Sequence, residues 1–226
     1  MIKLKNVTKI YHEGAVNAFS AVRNLNLVLN AGKVSVLRGP SGSGKTTLLT
    51  LLGGMARPTS GRIHIFDQEV SSLPERFLTE LRRNTFGFVF QNFNLVHGLS
   101  VLENVMLPMA PTGRPHGEVC ARAEALLDQF HIRSKASNGV ETLSGGEAQR
   151  TAIARALIND PPVFIADEPT ANLDTGLSQE FIDIVADLKV QQKTVVMTSH
   201  DPLVWESQVV DTVVSVRDGR IESVIS

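Results

Sequence analysis

Residues 39–47 read GPSGSGKTT, and the run KVSVL at 33–37 leads into them almost directly. KVSVL is short and β-branched, as a buried strand is. TTLLTLLGGM (46–55) carries a helical pattern that Gly53 and Gly54 stop. A strand, a glycine-rich loop and a helix start in that order, with Gly39-x4-Gly44-Lys45-Thr46 at the turn, fit a phosphate-binding loop. Each residue type has its reason. Glycines let the backbone turn its amides toward oxygen atoms and approach them closely. The helix start adds unpaired N–H groups and the positive end of a dipole. Lys45 can neutralise β- and γ-phosphate charge, and the Thr46 hydroxyl can ligate Mg²⁺. Gly39, Pro40, Ser41, Gly42, Ser43, Gly44, Lys45, Thr46 and Thr47 are therefore the candidate nucleotide-binding residues.

Such a loop belongs at the carboxyl edge of a sheet in an α/β fold. VFIAD (163–167) and TVVMTS (194–199) are near-continuous apolar runs, typical of parallel strands covered on both faces. FGFVFQ (86–91) reads as a further strand ending on Gln91. IKLKNV (2–7), LNLVLN (25–30) and RIHIF (62–66) alternate apolar and polar residues and suit a half-buried, antiparallel N-terminal part. TVVSVR, an Asp-Gly turn and RIESVIS (212–226) make a closing hairpin. PERFLTELRRN (74–84) and GLSQEFIDIVADLKVQQ (176–192) read as helices. Between about 92 and 160 the pattern is helical only, with VLENVMLPM, GEVCARAEALLDQF and GGEAQRTAIARALIN separated by a Pro/Gly linker, APTGRPHG. The expected fold is one domain over 1–226: an α/β core (about 1–91 and 161–226) with a mostly parallel sheet and an N-terminal antiparallel part, interrupted by a helical subdomain (about 92–160).

A phosphate loop needs a second metal-orienting carboxylate at the end of a neighbouring strand. Asp167 and Glu168, after VFIA, supply it. Asp167 would hold Mg²⁺, and Glu168 would be the base that orients the attacking water. A strand ending in solvated acids is the plain alternative. Ser144, Gly145 and Gly146 precede a helix and form a second anion-binding helix start.

LSGGE at 143–147, about twenty residues before VFIADE, closely resembles the signature sequence of the ATP-binding cassette (ABC) ATPases. The resemblance covers the whole chain. It implies that two copies pack head to tail, with Ser144, Gly145, Gly146 and Glu147 of each closing over the other's ATP. It also implies that Gln91 senses Mg²⁺ and joins the core to the helical part. Asp174 of ANLD would lie near the dimer seam, where Asn172 stands in place of the more usual Ala. His200 would contact the γ-phosphate, and Tyr11 would stack on adenine. Catalysis is thus expected from Glu168, His200, Gln91 and Lys45, and metal binding from Thr46, Gln91 and Asp167. GFVFQNFNLVHGLSVLENVMLP and LLGGMARPTSGRIHI look most like the group of the lipoprotein-releasing LolD, the macrolide exporter and the cell-division FtsE ATPases. That group couples hydrolysis to movement of a membrane partner in export, lipoprotein release or mechanotransmission. An importer ATPase and a non-transport ABC ATPase remain as alternatives.

Composition agrees with this and narrows the partners. The chain has 226 residues, 42% hydrophobic and 20% charged, with net charge −1, so no overall basic field points to nucleic acid. No stretch approaches the roughly 18–20 apolar residues of a membrane span. A separate transmembrane permease subunit is therefore expected, with a periplasmic or adaptor protein as a further candidate, and the chain is placed peripherally on the cytoplasmic face of the inner membrane. The single cysteine, Cys120, falls within a helical pattern and reads as packing. Phe93, Leu95 and Val96, after Gln91, are expected to leave an apolar surface for the membrane subunit; filling of the helical core is the alternative.

Overall fold

The computed structural model describes residues 1–171 and 173–226. The chain opens with β1 (Ile2–Tyr11), β2 (Phe19–Leu29) and β3 (Val34–Arg38), then α1 (Lys45–Leu52). Next come β4 (Ser60–Ile65), β5 (Gln68–Glu69), α2 (Glu75–Thr85) and β6 (Phe86–Val89). Three helices follow, α3 (Val101–Met106), α4 (His116–Gln129) and α5 (Gly145–Leu157), with short 3-10 turns between them. The chain closes with β7 (Val163–Ala166), α6 (Thr175–Val190), β8 (Thr194–Thr198), α7 (Pro202–Trp205), β9 (Thr212–Arg217) and β10 (Arg220–Ile225).

Two sheets form. β2-β1-β4-β5 is antiparallel throughout. The second runs β10-β9-β3-β8-β7-β6 and is parallel except for the β9–β10 hairpin. Side chains that alternate along the parallel strands go to two different cores, which is why those strands are apolar at nearly every position. Val163 and Ile165 of β7 pack toward α1 and the antiparallel sheet, with Leu4, Leu27 and Leu51. Phe164 and Ala166, the intervening residues, pack with Phe181 of α6 and with Val105, Leu127 and Ile153 of α3–α5. The three helices between 101 and 157 therefore share a continuous core with one face of the sheet.

Several boundaries differ from the sequence expectation, each for a local reason. β1 runs on to Tyr11 through a register shift after Leu4, with Asn6 left-handed at φ 51°. β2 starts at Phe19, well before LNLVLN, because its first half pairs with the end of β1. β6 stops at Val89, where its pairing with β7 ends, so Gln91 lies just past the strand. α3 gives way to a 3-10 turn at Leu107–Thr112, since Pro108 and Pro111 cannot donate to an α-helical ladder. α7 has no counterpart in the sequence expectation; Pro202 at its first turn and an Asp201 side chain accepting from the Leu203 N–H set it up.

Candidate functional site

β3 delivers the loop 39–44 to the carboxyl edge of the parallel sheet, between β8 and β9. The loop is shaped by its neighbours. A Cβ on Gly39 would lie 2.0 Å from the Val216 carbonyl oxygen, and one on Gly44 2.4 Å from that of Ala21. Gly44 also caps α1 in the left-handed region, at φ 101°. The turn of the β9–β10 hairpin holds the loop from outside, with the Gly219 N–H donating to the Ser43 carbonyl (2.9 Å). The resulting cleft, about 880 Å³, is lined by the loop, by Phe19, Ala21 and Arg23 of β2, and by Gln91, Glu168 and His200.

The polar groups form one connected set. The Lys45 ammonium donates to the carbonyls of Gly39 (2.8 Å) and Pro40 (3.1 Å) and stands 3.7 Å from the Glu168 carboxylate. The other Glu168 oxygen lies 2.8 Å from His200 Nδ1. The Thr46 hydroxyl donates to Asp167 Oδ1 at 3.2 Å, and the Thr198 hydroxyl donates to the same oxygen at 2.7 Å. Thr198 Oγ1 in turn accepts from the Glu168 N–H at 2.7 Å. Glu168 itself is left-handed, φ 45°, an uncommon state for a residue with a side chain and one that recurs at functional sites. Its strain is held by that Thr198 bond and by strand β7 behind it. Thr46 and Asp167 place a hydroxyl and a carboxylate oxygen within reach of one another, the hard-oxygen donor pair that Mg²⁺ takes from a protein.

Of the residues singled out from the sequence, Gly39–Thr47, Gln91, Asp167, Glu168 and His200 come together here. Tyr11 is not in the cleft lining. Its ring stacks on Phe19 (centroids 5.4 Å apart, 25° between planes) and carries the Lys9 ammonium 5.2 Å from its centre. Phe19, not Tyr11, faces the cleft and is 55% exposed. Ser144–Glu147 lie at the start of α5, away from the lining. Ser144 accepts from the Glu147 N–H while Glu147 accepts from the Ser144 N–H, a reciprocal cap. The carboxyl of Glu147 is held below the ordinary carboxylate range by the Ser144 N–H and by Lys135. Asp174 caps α6 by accepting from the Leu177 N–H at 2.9 Å. Asn172 lies outside the described residues.

Phe93 and Leu95 turn partly into the main core, as the filling alternative requires; Val96 stays 45% exposed. Three participants escaped the sequence reading. Thr198 is fully buried at the end of an apolar strand, and a hydroxyl in that position was its only signal. Phe19 and Arg23 lie on the unread half of β2 and had none.

The fold and this cleft define the chain as a phosphate-loop nucleotide hydrolase. Residues 22–171 match the family described as ABC transporter, and the chain belongs to that family as an ATP-binding domain with ATPase character. An ABC transporter ATP-binding protein of Thermotoga maritima is 41% identical over 227 residues, covering 99% of this chain and 94% of that protein. The macrolide export ATP-binding/permease protein MacB of Hyphomonas neptunium is 39% identical over 223 residues, covering 99% of this chain and 34% of its own length. The chain thus spans about a third of the MacB relatives it matches. The dimeric ABC transporter cassette MJ0796 of Methanocaldococcus jannaschii superposes with a TM-score of 0.92 at 38% identity, over 100% of this chain and 98% of that one. The same cassette in a post-hydrolysis state bound to ADP and Pi gives 0.93 at 37% identity, with the same coverage.

Proposed function

We propose that this chain binds and hydrolyses ATP, pairs head to tail with a second copy when ATP is bound, and drives a transmembrane permease subunit in export, lipoprotein release or mechanotransmission. The observation that carries the catalytic part is the Glu168 carboxylate, set between Lys45 and His200 and one residue from Asp167. A base in that place takes the proton of a water aligned with the γ-phosphate. Lys45 and the amides of residues 41–46 neutralise the phosphates, and His200 and Gln91 hold the γ-phosphate end. Thr46 and Asp167 would hold Mg²⁺, which supplies further neutralisation of the β,γ-oxygens when bound. Adenine stacks on the Tyr11–Phe19 pair, from the Phe19 side.

The dimeric relative supports head-to-tail pairing, in which Ser144–Glu147 and Asp174 face the partner's ATP. The joint ATP-binding/permease name of the MacB relatives supports a membrane partner. Among the described residues no helix is long and apolar enough to cross a membrane. With such a partner the chain would sit peripherally, on the cytoplasmic face where ATP is supplied. Glu168→Gln keeps the shape and removes the base. Hydrolysis should fall by about 10²–10⁴-fold, the usual contribution of a positioned base, while ATP binding persists and an ATP-dependent dimer accumulates in light scattering. Near-normal turnover in this variant would remove Glu168 from the role.

A further inference from the structure

The segment that follows Gln91 passes from the sheet to the helices. Up to Val89 the backbone is part of the sheet, where the Val89 carbonyl also accepts from the Asp167 N–H (2.9 Å). The Phe93 N–H still donates back to the Phe90 carbonyl (2.8 Å), but from residue 93 onward the side-chain partners of this backbone are helical. Asn104 of α3, fully buried, accepts from the Val96 N–H (2.7 Å) and donates to the carbonyls of Val96 and Ser100 (3.1 Å each). The Gly98 N–H donates to Glu141 (2.6 Å). At the point nearest Gln91 the segment is fastened to α5 by the guanidinium of Arg155. One of its amino groups donates to the Asn94 carbonyl at 2.6 Å and the other to the Phe93 carbonyl.

Two features make this contact unusual. Phe93 and Asn94 are consecutive left-handed residues, φ 59° and 48°, and a bulky Phe in that region carries backbone strain. Arg155 is partly buried, and its guanidinium is spent on two backbone carbonyls rather than on a carboxylate. Burial pulls its pKa down from the ordinary arginine value. Holding a cation partly out of water against carbonyls alone carries a desolvation cost that the two hydrogen bonds offset. The planar fork of arginine matches two adjacent carbonyls, and lysine cannot reproduce it.

We infer that Arg155 is a positioning residue which makes the segment after Gln91 mechanically part of α5. This rests on the reading above, in which Gln91 meets the γ-phosphate of the chain's own site and Ser144 meets the partner's. Ser144 and Arg155 are eleven positions apart on one helix, a rod of roughly 16 Å at 1.5 Å per residue. When Gln91 shifts toward bound phosphate, residues 93–94 shift with it. The guanidinium passes that displacement to α5, whose far end carries Ser144. Occupancy of one site thus sets the orientation of the seat offered to the other copy.

The test uses the full chain in the Glu168→Gln background, with Arg155→Lys and Arg155→Met. ATP affinity, measured by calorimetry at protein concentrations too low for pairing, should stay within about twofold. The ATP concentration that half-saturates pairing should rise about tenfold, the scale of a lost coupling contact. Amide hydrogen exchange over 92–97 should speed up by about tenfold or more, because the local fastening is gone. Unchanged pairing and exchange in either variant that folds would overturn the inference, as would ATP affinity and pairing lost in parallel, the mark of a merely structural role. If Arg155→Met does not fold, Arg155→Lys decides. Ser144→Arg separates the two levels. Should it still pair on ATP, the reading of α5 itself fails; should it abolish pairing while both Arg155 variants pair as the parent does, only the present inference fails.

Discussion

Two glycine-bearing helix starts stand in this molecule, and they are built on opposite terms. At the start of α1, Gly39 and Gly44 are demanded by the chain's own backbone, with Val216 and Ala21 leaving no room for a Cβ and Gly44 left-handed. At the start of α5, Gly145 and Gly146 have ordinary helical backbone. A Cβ on Gly145 would meet only a Leu173 methyl at 3.6 Å, an ordinary contact, whereas one on the buried Gly146 would press on the end of Leu177 at 2.7 Å and meet the Arg150 guanidinium at 3.4 Å, side-chain ends rather than backbone. Ser144 and Glu147 already cap that helix without help from glycine. The first start is fully explained inside one chain. The glycine at 145 has no internal reason, and it is exposed. A residue that its own fold does not require points to something that approaches from outside, which the proposed head-to-tail pairing would supply.

The contrast is open to attack at three places. Gly44→Ala carries the largest expected effect. A left-handed alanine pressed against the Ala21 carbonyl should cost about 3 kcal/mol or more, the sum of backbone and overpacking terms. Thermal unfolding should show that loss together with absent nucleotide binding. A Gly44→Ala chain as stable as the parent would mean that the loop is not shaped from within.

A middle effect sharpens the first cleft at its other end. Stacking a base on an aromatic ring is worth roughly 1–3 kcal/mol where it has been measured. Phe19→Ala should weaken ATP binding by that amount, Tyr11→Ala by less, since Tyr11 acts from behind Phe19, and Tyr11→Phe hardly at all. Titration calorimetry that ranks Tyr11→Ala above Phe19→Ala would show that the tyrosine leaves its partner to meet the base.

The smallest effect has the opposite sign. Gly145→Ala exchanges the residue that loses most backbone freedom for the best helix former, a gain of about 0.5–1 kcal/mol. The melting temperature should rise by about 1–4 °C, as such a gain does in a domain of this size. ATP-dependent pairing, followed by light scattering in the Glu168→Gln background, should nonetheless weaken. A variant that is both more stable and fully able to pair would erase the difference between the two helix starts.

Sequence reading went furthest where the chemistry is contiguous. GPSGSGKTT holds its glycines, cation and hydroxyls within nine residues, and KVSVL before it is legible as a strand by its β-branched run. The two-faced burial of β7 and β8 was equally plain, since a strand covered on both sides is apolar at nearly every position. Reading could not choose between neighbours on one face. Tyr11 and Phe19 are cross-strand partners, and which ring reaches the cleft depends on the pairing of β1 with β2. Phe93, Leu95 and Val96 are alike in hydropathy, and only the left-handed turn at 93–94 sends the first two inward.

By itself, then, the amino-acid order determined the phosphate cradle, the alternation that makes two sheets, and the carboxylates waiting at a strand end. These follow from local backbone freedom and periodicity, which act within a few residues. Tertiary structure alone decided that Thr46 meets Asp167 across 121 positions, that Thr198 ties Asp167 to Glu168, and that Arg155 grips the carbonyls of Phe93 and Asn94. Each of those contacts depends on the register of β3, β7 and β8 and on the seat of α5 against the sheet. Registers and seats are set by packing summed over the whole core, and no short stretch of sequence contains that sum.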